Sequence, residues 1–166
     1  MTLSEQSAIL LEAVEQELLR EPEGIVRWAD GVIVAMDEPP AWVIDLSMLR
    51  SPHLIDFVVP LREHASVPVA LHRRIQVVVL AYLAGELSFA DTLPKIFRVT
   101  ILERHGVKRD ALDERLADAL VEWDCQEDLS VIEPPLRAKF EALFREYSAD
   151  AQDVAAVLQW RHENAA

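Results

Sequence analysis

The chain has one cysteine, Cys125, and four glycines in 166 residues. A single thiol excludes an intrachain disulfide and any multi-cysteine metal cluster within one chain, and it fits a reducing compartment. The glycines, Gly24, Gly31, Gly85 and Gly106, form no phosphate-cradling loop and offer little to a glycine-rich sheet fold. Long apolar sequence is missing too. The longest run, Val77 to Ala84, falls far short of the ~20 residues of a membrane-spanning helix. The segment Met1-Thr2-Leu3-Ser4-Glu5 lacks the basic and apolar regions of a secretory signal. The expectation is a soluble, cytoplasmic protein with no membrane partner. Positive charge is the remaining shortage: 16 Lys and Arg face 29 Asp and Glu, a net charge of −13. That field repels nucleic acid and anionic lipid and permits a basic partner protein.

The deficit is uneven. Residues 1–40 hold nine acids and two bases, residues 61–109 hold four acids and eight bases, and residues 110–166 hold fourteen acids and five bases. Acidic flanks packed around a basic middle are the simplest physical reading of that layout. Hydrophobic residues at 51% and charged residues at 27% are near globular averages, so the chain has the means to bury a core. One domain over 1–166 is expected.

Helical periodicity is what the sequence has in quantity. Leu11, Val14 and Leu18 recur at helical spacing in a segment, weakly capped at Ser4, that should end near Arg20. Pro22 opens a second helix in which Ile25, Trp28, Ala29, Val32, Ile33 and Met36 share one stripe. Pro39-Pro40 breaks the chain, and residues 41–49 fit a helix with a strand as the alternative. Ser51-Pro52 starts another helix that Pro60 must end or kink. From Pro68 to Gly85 the chain is apolar nearly all round, and its length favours a central helix over a buried strand. Ser88 with Asp91 caps the next helix, Pro94 restarts or kinks it, and His105-Gly106 stops it. Asp110 or its neighbour caps a further helix carrying Leu112, Leu116, Leu120 and Trp123. Pro134-Pro135 opens one with Phe140, Phe144 and Tyr147, and Asp150 caps the last. The sum is an all-α, single-domain bundle of about eight to ten short to medium helices, with no alternating segment or hairpin signal to support a sheet.

Chemistry is sparse. The five histidines, His53, His64, His72, His105 and His162, include no pair four residues apart and no His-Glu-x-x-His, so each reads as an ordinary surface or helix-end residue. The run Asp124-Cys125-Gln126-Glu127-Asp128 lacks the glycine and alternating oxygens of a calcium loop, and Cys125 has no cationic neighbour to activate it. No metal, cofactor or catalytic residue is assigned. The tryptophans divide: Trp28 and Trp123 sit on apolar stripes, whereas Trp42 and Trp160 are candidate interface anchors with core packing as the alternative.

Trp28-Ala29-Asp30 and Pro39-Pro40-Ala41-Trp42-Val43-Ile44-Asp45-Leu46-Ser47 resemble a pattern in small acidic bacterial helical proteins of unassigned function, of an immunity-protein type. The resemblance spans residues 28–47 and implies a bacterial source and binding of a partner protein in place of catalysis. The expected function is therefore stoichiometric binding or neutralisation of a partner protein, basic in character. Candidate contacts are Glu12, Glu15, Trp42, Asp113, Asp118 and Trp160, and homo-oligomerisation through Trp42 or Trp160 is compatible with this reading and with the alternative that follows. The alternative is a small-molecule sensor or enzyme with a pocket beside residues 69–84, using His72, Arg73 or Tyr82.

Overall fold

The computed structural model describes residues 1–102, 109–126 and 132–158. Among the described residues the chain is all-α, with nine α-helices, one π-helical turn and no strand. It divides into two compact units, Met1–Val69 together with the stretch from Asp153, and Ala70–Gln152. None of the helices among the described residues is long and apolar enough to cross a membrane.

The first unit begins with α1 (Leu3–Glu15), α2 (Glu23–Ala35), α3 (Ala41–Met48) and α4 (Ile55–His64), and α9 (Gln152–Leu158) returns to it. The cap of α1 is Thr2, not Ser4: the Thr2 hydroxyl accepts from the Glu5 N–H while the Glu5 carboxylate accepts from the Thr2 N–H, a capping box. The helix stops before Arg20 because Glu17 turns left-handed at φ 57°, letting the Leu18 and Leu19 N–H groups both donate to the Ala13 carbonyl. Leu18 and Leu19 are buried by that turn. Residues 41–48 are helix, entered from Pro40 in an extended conformation. Pro60 does not end α4, which runs on to His64. Its core draws on Leu10, Ile25, Val43, Leu46, Phe57 and Leu61.

The second unit holds α5 (Leu71–Leu83), α6 (Phe89–Phe97) followed by the π-turn Arg98–Leu102, α7 (Ala111–Asp124) and α8 (Pro134–Ala149). Ile75, Gln76, Val77, Val78 and Val79 are consecutive and all buried, which requires neighbours on every side of α5. Helices α6 and α8 and the π-turn supply neighbours within the unit. Gly85 closes α5 at φ +77°, the left-handed C′ position that glycine occupies without strain. Ser88 caps α6, and Pro94 lies inside that helix. Of Asp110 and its neighbour, Asp110 is the cap of α7, and Pro134-Pro135 form the first turn of α8. Asp150 is the C-cap of α8 and does not cap α9, which begins at Gln152. The expected stop at His105-Gly106 and the candidate anchor Trp160 lie outside the described residues.

Candidate functional site

Of the residues expected at a partner surface, Glu12 and Asp113 are buried. Glu12 is buried, so it presents no carboxylate to a partner; Ile9, Glu12, Ala13 and Gln16 fall on one face of α1, all buried. The Glu12 carboxylate accepts from Gln16 Nε2 at 2.9 Å. Asp113 is also buried, because a residue at the third position of α7 folds its side chain back over the helix start. Glu15 and Asp118 are exposed, and Trp42 is half-buried. Nearby, Arg115 grips Glu146 with both terminal guanidinium nitrogens, Lys139 pairs with Glu122 at 2.8 Å and Arg137 with Glu141 at 3.1 Å. The acidic C-terminal stretch thus meets some of its own bases. The Arg115 hydrogen bond holds the Glu146 carboxyl below its usual range and raises the guanidinium in turn.

His72, one of the pocket residues, enters a polar cluster built from three elements. It lies in the first turn of α5, against the start of α7 and the end of α8. The α7 capping box sets the geometry. Asp110 Oδ1 accepts from the Leu112 and Asp113 N–H groups at 2.8 and 2.9 Å, and Asp113 Oδ2 accepts from the Asp110 N–H at 3.2 Å. Each carboxylate is anchored by one oxygen and shows the other to His72, with Asp110 Oδ2 at 3.4 Å and Asp113 Oδ1 at 3.7 Å from Nδ1. Nδ1 is shielded from solvent and has no hydrogen-bond partner. The other ring nitrogen, Nε2, faces Asp150 Oδ1 at 3.5 Å.

A surrounding layer fixes these groups. The Tyr147 hydroxyl donates to Asp113 Oδ1 at 2.7 Å, and its ring packs against the imidazole with centroids 4.8 Å apart. Burial first, then the hydrogen bond to Asp113, pushes the Tyr147 hydroxyl far above its ordinary pKa, so it stays a donor. Buried Gln76 donates to the Tyr147 carbonyl at 2.9 Å and to Asp150 Oδ1 at 2.6 Å, and accepts from Arg73 at 2.9 Å. Arg73 therefore belongs to the same network. Tyr82 does not: it packs in an aromatic group with Phe89 and Phe144, at 5.7 and 5.4 Å. The expected His72, Arg73 and Tyr82 pocket is thereby split in two.

The first unit carries a second feature. Helices α3 and α4 enclose an open groove of about 520 Å³ lined by Trp42, Asp45, Leu46, Leu49, Asp56, Val59, Pro60, Glu63 and His64. Trp42 stacks on His64 with centroids 4.2 Å apart and rings 13° from parallel, and it also meets the Trp28 ring at 6.0 Å. The Ser47 hydroxyl donates to Asp30, so the two segments of the noted resemblance meet in the α2–α3 packing. Asp45, Asp56, Val59, Glu63 and His64 are exposed. A comparison with family models, with curated proteins and with solved structures finds no match.

Neither feature shows in the local sequence. His72 and Asp110 are 38 positions apart by their numbers, beyond any helical spacing rule. The groove needs α3 to be helical, which residues 41–49 left open between helix and strand. The one available signal was the Asp110 and Asp113 spacing, a cap with an acid three residues on.

Proposed function

We propose that this chain is a stoichiometric protein-binding module whose α3–α4 groove receives a cationic amphipathic helix of a partner. What carries the reading is the groove itself: an apolar wall of Trp42, Leu46, Leu49, Val59 and Pro60 beside the exposed acids Asp45, Asp56 and Glu63. An amphipathic helix laid in an apolar groove is a recurring recognition mode, and a half-buried tryptophan is a common anchor for it. Charge selects the partner's sign. Residues 1–69 hold twelve acids and four bases, so a basic segment is attracted and a phosphate backbone repelled. Neutralisation of a basic protein is also what the immunity-type resemblance of residues 28–47 would imply, and the free thiol of Cys125 suits a cytoplasmic setting.

The test is fluorescence anisotropy with a labelled leucine–lysine helical peptide. We expect association to slow as salt rises. Affinity should fall about tenfold or more in Trp42→Ala and in the double charge reversal Asp45→Lys, Glu63→Lys. Equal affinity in all three proteins, or a rate indifferent to salt, rejects the groove as the binding surface. Light scattering without peptide identifies the case in which a second copy of the chain is the occupant, which also overturns the reading.

A further inference from the structure

We propose that His72 Nδ1, Asp110 Oδ2 and Asp113 Oδ1 bind one divalent first-row transition cation of the zinc class. These three donors lie within 4.8 Å of one another, the one such group of three or more among the described residues. Donors about 2.0 to 2.1 Å from a tetrahedral ion stand roughly 3.4 Å apart. The two separations from Nδ1, 3.4 and 3.7 Å, are near that spacing, and the two carboxylate oxygens lie within 4.8 Å of each other, so they would close on a bound ion. One imidazole and two carboxylates suit zinc or manganese better than calcium, which prefers six to eight oxygens.

The orphaned nitrogen carries the inference furthest. Nδ1 is buried without a hydrogen-bond partner between two carboxylate oxygens, an arrangement that repels a bare lone pair. With the ring proton on Nε2 toward Asp150, 3.5 Å away, the Nδ1 lone pair faces Asp110 and Asp113, which is the carboxylate–histidine–metal arrangement. Gln76 holds Asp150 from behind, and Tyr147 holds Asp113. Both carboxylates have their second oxygen tied into the capping box, so neither pays a large ordering cost on binding. Three protein donors leave a coordination position, and the exposed side of Asp110 opens it to solvent. The competing arrangement is a protonated imidazolium that balances the two acids with no metal.

Equilibrium dialysis of the full chain against Zn2+, with Co2+ absorption as the second readout, decides between them. We expect one ion per chain. Asp110→Asn keeps a competent cap while removing the anionic ligand, and His72→Gln removes the nitrogen. Both should retain wild-type helicity by circular dichroism and lose at least about tenfold in affinity, with Asp150→Asn losing about tenfold through the misaligned ring. No uptake, or uptake equal in wild type and both ligand variants, overturns the proposal. So does a nitrogen-15 spectrum at pH 7 in which the His72 ring stays doubly protonated with Zn2+ present.

Discussion

Tyr147 and Gly85 each show how one residue is fixed by a different force. The Tyr147 hydroxyl reaches Asp113 Oδ1 from a buried ring tilted against the His72 imidazole. Tyr147→Phe keeps the ring and leaves a buried carboxylate oxygen one donor short, so urea unfolding of the metal-free protein should show a loss of about 1–3 kcal/mol. Gly85 acts through its backbone alone. An added Cβ there meets nothing within 4 Å, so Gly85→Ala pays only for the left-handed conformation. Its expected cost is about 1 kcal/mol, and a larger loss would mean that packing matters there. Gly85 was legible as a helix stop because glycine is the residue that geometry selects. Glu12 was not legible as buried, since a helical wheel shows which residues share a face and not how much of the helix its neighbours cover. Ile9 and Ala13 draw Glu12 inward, and Gln16 makes that burial tolerable.

At the scale of elements, the starts of α6, α7 and α8 were read from a polar cap or a proline, whereas the caps expected at Ser4 and Asp150 were not found. Asp110, Ser88 and Pro134 were legible because their effect is local, within one turn. Contacts between helices distant in sequence were out of reach, and the His72 cluster is made wholly of them. The Arg115–Glu146 link between α7 and α8 is another such contact, and its sign with pH follows from its charges. Arg115 depresses the Glu146 pKa from its ordinary value of 4.5, so the folded state holds the carboxylate more firmly than the unfolded chain does. The pair's stabilisation is therefore present above that ordinary value and disappears as pH falls through the depressed one. Urea titrations of wild type and Glu146→Gln should differ most at pH 7, and the difference should shrink as pH is lowered below 4.5. Added salt at pH 7 should shrink the difference, because both side chains are open to solvent.

Across the whole molecule, the two proposed ligands belong to different compact units, each with its own buried apolar residues. The peptide groove is built from α3 and α4, and the cation cluster from the starts of α5 and α7 and the end of α8. A ligand slows hydrogen exchange only at amides whose opening releases it, so the pattern of protection reports which parts of the chain open together. If each unit opens by itself, Zn2+ should slow exchange in residues 71–76 and 111–116 and leave 41–64 unchanged. The cationic peptide should do the reverse. If the chain opens only as one cooperative body, either ligand slows the most protected amides of both units by the same factor. Exchange measured by mass spectrometry on the full chain separates these cases. The separate pattern is expected, because the helix-to-helix packing that buries Phe57 and Leu61 lies in one unit and that around Phe140 and Phe144 in the other.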